Sequence, residues 1–256
     1  MLFDSIVYGP IHSRRLGVSL GINLMPVTAK LCTFDCVYCE CGFNTPVNHP
    51  QLPTRQEVAK ALESALQKEK DSPDVITFSG NGEPTLHPDF EGIIADTCRL
   101  RDQYCPNAKV SVLSNSTQLM RPEVVRALHQ CDNRILKLDS AIDRTMRLID
   151  RPVNGQLTIR QLIDSLSQFG GDFTLQTCFL RGEVPDGTGV APIDNTTSEE
   201  IAAWYQAVDE LHPKNIMIYV IDRTTPVKTL EKISREQMEA IAAPLLKKGY
   251  NVSISA

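Results

Sequence analysis

The chain has 256 residues, of which 42% are hydrophobic and 22% charged, and its formal net charge is -5. This composition is typical of a globular protein and excludes a collagen-like or disordered chain. No uncharged apolar run approaches the ~20 residues of a membrane helix, and the start MLFDSIVYGPIHSRR lacks a signal-peptide pattern. We therefore expect a cytoplasmic protein with no membrane partner, whose net charge gives no overall attraction to nucleic acid.

Apolar runs and amphipathic stretches alternate along the chain, which predicts repeated β-then-α units. Six predicted strands are rich in β-branched or apolar residues and cover 18–24, 75–80, 109–115, 134–140, 173–180 and 215–222. The predicted helices carry apolar stripes or capping residues and cover 58–68, 89–104, 121–130, 141–149, 158–169, 198–211 and 234–249. Pro244 predicts a kink or break in the last helix, and we expect 251–256 to add one strand.

Six such units imply parallel strands with right-handed crossovers, either in a barrel or in an open sheet. Polar residues occupy one phase of several strands: Lys137 and Asp139, Gln176 and Cys178, and Tyr219. An open sheet covered on both faces prefers apolar residues in both phases, whereas a barrel around a polar ligand accepts these side chains. The predicted fold is therefore α/β, a partial (β/α)6 TIM-type barrel of parallel strands with outer helices.

We predict a single domain over 1–256, with the core barrel at about 15–225 and a C-terminal helix and strand at about 234–256. The segment GEVPDGTGVAPIDNTT, 182–197, is predicted to be irregular because it is rich in Gly, Pro and Asp. It follows the C-terminal end of a strand, where barrel enzymes place their chemistry. A substrate lid and a loose surface loop are both open interpretations.

Four of the eight cysteines lie between positions 32 and 41. Cys32, Cys36 and Cys39 have the spacing C-x3-C-x2-C, and reduced thiolates so close in sequence favour zinc or an iron–sulfur cluster. Structural zinc usually takes a second ligand pair, which the sequence lacks here. A non-catalytic zinc or electron-transfer module that also uses Cys41 is the alternative of another class.

The stretch C32-TFD-C36-VY-C39 resembles the signature of the radical S-adenosylmethionine (SAM) superfamily. The resemblance implies that Cys32, Cys36 and Cys39 hold a [4Fe–4S] cluster whose fourth iron binds SAM. It also implies an oxidoreductase- or lyase-type enzyme that cleaves SAM to a 5′-deoxyadenosyl radical, which abstracts hydrogen from a substrate. We expect Cys41 not to be a ligand, since a fourth thiolate would close the iron that SAM needs.

Further matches to the superfamily end the second, third and sixth predicted strands: SGNGEP, VLSNS and IYVIDR. They imply contacts of a glycine-rich segment with the SAM ammonium, of polar residues with its ribose or carboxylate, and of apolar residues with adenine. The SAM contacts predicted in this way are Tyr38, Ser79, Gly80, Asn81, Gly82, Glu83, Ser114, Asn115, Ser116, Tyr219 and Ile221. Lys137 and Asp139 are predicted catalytic residues, with Lys137 as a Schiff-base or phosphate-contacting group; mutual pairing inside the barrel is the simpler interpretation.

Within the superfamily, GPIHSRRLGVSLGINLMP and IDRTTPV are most similar to the group of tRNA wyosine-base synthases. Those enzymes carry further cysteines upstream for a second cluster, and this sequence has none before Cys32. The predicted substrate therefore stays open between a small molecule, a peptide and RNA. An electron donor such as flavodoxin or ferredoxin is the other partner that the resemblance implies.

The four remaining cysteines have a simpler interpretation. Cys98, Cys105 and Cys131 lie in or beside predicted helices, and we expect packed or surface thiols, because buried free cysteine is common. Cys178 shares a strand phase with Gln176, so an interior-facing functional role is an alternative to packing.

Overall fold

A computed structural model describes residues 2–13, 15–68 and 73–256. Arg14, in the stretch that resembles the wyosine-base synthases, lies outside the described residues. Within those three ranges, no helix combines the length and the apolar character that crossing a membrane requires.

The chain folds into two compact units, each built from separate segments of the sequence. The first unit contains the chain up to Cys32 and Asn44–Ile135, and the second contains Thr33–Phe43 and Leu136–Ala256. The boundary falls within the cysteine loop, so Cys32 belongs to the first unit and the following cysteines to the second. The strand β5, Asn133–Lys137, leads from the first unit into the second.

The first unit is built on the strands β1 (Val7–Ser13), β2 (Gly17–Ile22), β3 (Val75–Phe78) and β4 (Lys109–Ser114). The strand β2 pairs with β1 antiparallel and with β3 parallel, and β3 pairs with β4 parallel. All four residues of β3 are buried, as expected for a parallel strand covered on both faces.

The strand β1 was not predicted, and its sequence explains why. It contains Gly9 and Pro10, residues that are depleted in strands, and its register with β2 shifts between Tyr8 and Ile11. Proline is accepted on an edge strand, which is the position that β1 occupies in the strand order.

The helices of the first unit lie where the sequence predicts them. They are α1 (Arg55–Lys68), α2 (Phe90–Tyr104) and α3 (Pro122–Gln130), with a short 3-10 turn at Pro84–Leu86. The predicted capping box before α1 is present, since the Thr54 amide donates to Glu57 at 2.7 Å and the Glu57 amide donates back to Thr54 Oγ1 at 3.3 Å.

The strands of the second unit are β6 (Thr174–Pro185), β7 (Val190–Asp194), β8 (Asn215–Val220), β9 (Leu230–Lys232) and β10 (Asn251–Ser255). The strand β8 pairs parallel with β6 and with β10, so the extra C-terminal strand is confirmed. The outer half of β6 pairs antiparallel with β7 and with β9.

The helices of the second unit are α4 (Asp143–Ile149), α5 (Ile159–Ser167), α6 (Ser198–Leu211) and α7 (Arg235–Lys247). The sequence predicts a kink or a break at Pro244. The predicted break is wrong, because α7 continues through Pro244 to Lys247. Ile241, Ala242 and Leu245 are buried on both sides of the proline, and this packing outweighs the single lost backbone hydrogen bond.

The prediction of an irregular segment at 182–197 is also wrong. Its first residues extend β6 to Pro185, and β7 returns beside them as a hairpin. Asp186 closes the turn, because its Oδ1 accepts the amides of Thr188 at 2.9 Å and Gly189 at 2.8 Å. Asp186, Gly187 and Gly189 therefore belong to a tight turn, whereas Gly182 and Asp194 lie in the paired strands.

The predicted fold class, α/β of the partial (β/α)6 barrel type with mostly parallel strands and outer helices, is confirmed. All six predicted strands are present, as β2, β3, β4, β5, β6 and β8.

Candidate functional site

Backbone pairing attaches the start of the cysteine loop to the predicted glycine motif in the first unit. Leu31 forms a parallel bridge with Gly82: its amide donates to the Asn81 carbonyl at 2.9 Å, and its carbonyl accepts the Glu83 amide at 3.1 Å. Gly82 has φ = 147°, and a Cβ there would collide with the Leu31 carbonyl oxygen. Glycine is therefore required for this close approach, immediately before Cys32.

Cys32 is positioned by two asparagines. The Asn44 side chain holds its backbone from both sides, accepting the Cys32 amide at 3.2 Å and donating to the Cys32 carbonyl at 3.2 Å. The side-chain Nδ2 of Asn115 donates to Cys32 Sγ at 3.4 Å. A predicted SAM residue thus contacts the sulfur of a predicted cluster ligand.

In the second unit, the following part of the loop is held by backbone bonds to the end of α4. The Asp35 amide donates to the Asp150 carbonyl at 2.8 Å, and the Val37 amide donates to the Ile149 carbonyl at 2.9 Å. Cys36 and Cys39 lie in one turn, closed by a bond from the Cys39 amide to the Cys36 carbonyl at 3.0 Å. The turn is therefore fixed at the backbone level.

Lys137 is the centre of a buried charged network at Cys36. Its ammonium donates to Cys36 Sγ at 2.9 Å and to Asp150 Oδ1 at 2.5 Å. The same ammonium lies 3.1 Å from Asp139 Oδ2. It also lies 5.2 Å from the ring centre of Phe34 and 4.9 Å from that of Tyr38. The structure thus brings both predicted catalytic residues together at a predicted cluster ligand.

The charges of this network shift its protonation equilibria. Burial lowers the pKa of Lys137, but the carboxylates of Asp139 and Asp150 outweigh burial and raise it well above its usual range. Burial acts to raise the pKa of Asp150, and the Lys137 ammonium acts to lower it. One ammonium between two carboxylates favours a charged lysine and not the neutral amine that a Schiff base needs.

Tyr38, Asp139 and Tyr219 form a second part of the same region. The Tyr38 hydroxyl donates to Asp139 Oδ2, and the Tyr219 hydroxyl donates to the Tyr38 hydroxyl at 3.4 Å. The two rings meet edge to face with their centres 6.5 Å apart. Burial and the Asp139 carboxylate raise the pKa of Tyr38 well above its usual range, so its hydroxyl stays a donor.

These rings pack against an apolar cluster of the second unit that includes Val37, Ile149 and Cys178. Ile221, the other residue predicted to contact adenine, packs against the same cluster. Cys178 is fully buried within it, which favours a packed thiol over a functional one.

The side chain of Asn81 is buried and engaged within the first unit. Its Nδ2 donates to the carbonyls of Phe3 at 2.8 Å and Pro26 at 2.9 Å, and its Oδ1 accepts the Phe3 amide at 2.8 Å. Ser79 Oγ lies 2.6 Å from the Tyr8 hydroxyl. These contacts make the glycine motif part of the scaffold.

Glu83 is likewise buried, and its carboxylate connects the glycine motif to the end of β4. It accepts the Asn115 amide at 2.7 Å and the Thr85 amide at 3.1 Å. Ser114 Oγ accepts the amide of Ser116, which has φ = 71°. The predicted SAM residues at the ends of β3 and β4 are thus brought together by Glu83.

The donor set fits an iron–sulfur cluster. Cys32, Cys36 and Cys39 form no disulfide, and the sulfurs of Cys32 and Cys36 receive side-chain N–H groups, which stabilise the thiolate form of a ligand. Within the described ranges, no three His, Cys, Asp or Glu side chains are grouped to hold a single metal ion. Cluster ligands bind different irons, so they do not need that grouping.

Sequence reasoning missed Asn44 and Asp150. Asn44 bonds the backbone of Cys32, and Asp150, at the end of α4, is connected to Cys36 through Lys137. An asparagine 12 residues after Cys32 and an aspartate 114 residues after Cys36 carry no local signal that could have identified them.

Comparison with known proteins decides the family. Residues 27–187 match the model of the Radical SAM superfamily, a range that includes Cys32, Cys36 and Cys39. This chain belongs to the radical SAM superfamily. The superfamily implies an enzyme, with SAM and an iron–sulfur cluster as cofactors.

Among curated relatives, the UPF0026 protein slr1464 of Synechocystis is 30% identical over 234 residues, which are 88% of this chain and 78% of that protein. This similarity also places the chain among the UPF0026 proteins. The chain spans 32%, 57% and 64% of the length of the first three curated relatives that it matches.

Solved structures share the fold. Streptococcus suis SuiB bound to S-adenosylmethionine has a TM-score of 0.65 at 13% identity, over 91% of this chain and 50% of that one. TYW1 with a lysine–pyruvate adduct has a TM-score of 0.62 at 12% identity, over 91% and 74%. At these identities the likeness concerns the fold, and membership of the wyosine group stays a prediction.

Proposed function

We propose that Cys32, Cys36 and Cys39 hold a [4Fe–4S] cluster at which SAM is cleaved reductively, in a single radical SAM domain. The observation that carries this proposal is the pair of N–H donors on two of the three sulfurs, from Asn115 at 3.4 Å and from Lys137 at 2.9 Å. A neighbouring ammonium favours the thiolate form that binds a metal, whereas a cysteine that only packs behaves as a small apolar side chain and needs no such donor.

Held by Cys32, Cys36 and Cys39, a reduced cluster would supply the electron for cleavage of SAM to methionine and a 5′-deoxyadenosyl radical, which would abstract hydrogen from the substrate. Asn115 and Lys137 stabilise the negative charge on the ligating sulfurs. Glu83 acts through Asn115, because its carboxylate holds the Asn115 backbone at the end of β4. Gly82 lets the motif approach Leu31 closely enough to fix the start of the loop.

The remaining predicted SAM contacts divide by chemistry. Tyr38, Tyr219 and Ile221 form an aromatic and aliphatic surface suited to the face of adenine. Ser114 and Ser116 offer hydroxyl groups suited to the ribose or the SAM carboxylate. The hydrogen bonds that Asn81 and Ser79 form within the first unit support a scaffold role for those two side chains.

The test is anaerobic reconstitution followed by iron and sulfide analysis and an assay for 5′-deoxyadenosine from SAM with dithionite. We expect a brown protein that makes 5′-deoxyadenosine, and we expect Cys39→Ala to lose both the colour and the product. Cys41→Ala is the matched control, since Cys41 is a half-buried cysteine of the same loop outside the three-cysteine pattern. A colourless zinc protein, or equal loss in both variants, would refute the proposal.

The substrate class proposed from the sequence spans small molecules, peptides and RNA, with a flavodoxin or ferredoxin as electron donor. Comparison of modified nucleosides and metabolites in cells with and without the gene separates these classes. A missing modified nucleoside identifies RNA as the substrate, and an accumulated metabolite identifies a small molecule.

A further inference from the structure

Lys137 is a buried cation that several neighbouring side chains hold beside Cys36 Sγ. Its side chain is 10% exposed, and its ammonium contacts Cys36 Sγ, Asp139 and Asp150. The rings of Phe34 and Tyr38 lie within 5.2 Å of it. A lysine held in this way cannot swing towards a substrate without breaking its ion pairs with two buried carboxylates.

Asp150 lies beside the same sulfur, because its side chain forms a hydrogen bond with Cys36. It is almost fully buried, its carboxylate bonds the ammonium at 2.5 Å, and its backbone carbonyl accepts the Asp35 amide next to Cys36. The negative charge of Asp150 and the positive charge of Lys137 therefore lie beside one thiol and cannot move independently of it.

These two charges have opposite effects on any electron-accepting group bound through Cys36. Reduction adds one negative charge, which a neighbouring ammonium stabilises and a neighbouring carboxylate destabilises. Hydrogen bonds to the sulfurs and nearby charge are the means by which proteins set the potential of iron–sulfur clusters.

We propose that Lys137 and Asp150 are positioning residues that set the reduction potential of the cluster through Cys36, Lys137 raising it and Asp150 lowering it. The inference rests on the proposed function, since it needs the cluster to be bound. It assigns Lys137 a role other than the Schiff base or phosphate contact predicted from the sequence, and it gives Asp150 a role that the sequence did not suggest.

The test measures the midpoint potential of the anaerobically reconstituted protein by a dithionite titration followed by electron paramagnetic resonance, without SAM. The measured step is the one-electron reduction of the bound cluster, with dithionite as the electron source. The variants are Lys137→Met, which removes the positive charge, Asp150→Asn, which removes the negative charge, and Lys137→Arg, which keeps the positive charge. Lys214→Met is the control, since Lys214 is an exposed lysine that pairs only loosely with Asp172 at 3.8 Å.

We expect the potential to fall in Lys137→Met and to rise in Asp150→Asn, each by about a tenfold change in the reduction equilibrium, or about 59 mV for one electron. We expect Lys137→Arg to restore most of the wild-type value and Lys214→Met to leave it unchanged. A network that only stabilises the fold would give no shift, or shifts of one sign in both variants, and either result would overturn the inference.

Two further outcomes keep the interpretation unambiguous. If Lys137→Met fails to fold, the sign of the shift in Asp150→Asn decides the question alone. If the wild type binds no cluster, the proposed function fails; if it binds the cluster and cleaves SAM but Asp150→Asn does not raise the potential, only this inference fails.

Discussion

Each of the two units contains a buried polar network, and the two networks differ in the charge of their partners. In the first unit, the Glu83 carboxylate is satisfied by neutral donors, the amides of Asn115 and Thr85. In the second unit, Lys137 is satisfied by the carboxylates of Asp139 and Asp150 and by a thiol. The first network therefore fixes backbone segments relative to each other, whereas the second concentrates charge beside a sulfur.

The largest expected effect breaks the charged network. Lys137→Met removes the cation that pairs with two buried carboxylates, so the free energy of unfolding of the apoprotein should fall by about 3–5 kcal/mol. Urea unfolding followed by circular dichroism measures this change. Lys214→Met, an exposed control, should change it by less than about 0.5 kcal/mol. If the Lys137→Met protein is as stable as the wild type, the pairing of Lys137 with the two buried carboxylates does not stabilise the fold.

The next largest effect concerns the network of the first unit, which depends on the close approach of the backbone at Gly82 and Leu31. Gly82→Ala should reduce the free energy of unfolding by about 3 kcal/mol, because alanine is strained at φ = 147° and its Cβ would meet the Leu31 carbonyl. Gly155→Ala is the matched control, since a Cβ there meets no atom within 4 Å. Equal stability of the two variants in a urea titration would contradict the close approach at Leu31.

The smallest expected effect is a pH dependence of stability that comes from Glu83 in the network of the first unit. Burial raises the pKa of Glu83 above its ordinary value of 4.5, although its hydrogen bonds oppose this shift. Its carboxyl therefore contributes stability that is fully present below pH 4.5 and is lost as the pH rises through the folded-state pKa. The stability of the wild type relative to Glu83→Gln should accordingly be greatest near pH 4 and decline towards neutral pH, as measured by urea unfolding at several pH values.

Glu57 provides a control of opposite sign. Hydrogen bonds from Thr54 lower the pKa of Glu57, so its contribution to stability is present above pH 4.5 and is lost as the pH falls. The wild type should therefore gain stability relative to Glu57→Gln as the pH rises. If the stability of the wild type relative to both variants rises with pH, the hydrogen bonds to Glu83 outweigh burial and hold its carboxyl group ionised.

Much of the fold followed from local pattern. The period of apolar residues located all six strands of the predicted units, and the Thr54–Glu57 pair located the start of α1. The failures occurred where tertiary contacts override local preference. Antiparallel partners on both sides of β6 order the 182–197 segment, and burial on both sides of Pro244 keeps α7 continuous.

The candidate site divides in the same way. The cysteine spacing, the glycine motif and the polar ends of the strands are short-range patterns, so the sequence alone determined the superfamily and its cofactors. Which residues touch the sulfurs depends on pairs that lie 83 and 101 residues apart, such as Asn115 with Cys32 and Lys137 with Cys36. Only the tertiary structure decided those pairings, because a hydrogen bond between distant segments is fixed by packing and leaves no periodic trace in the chain.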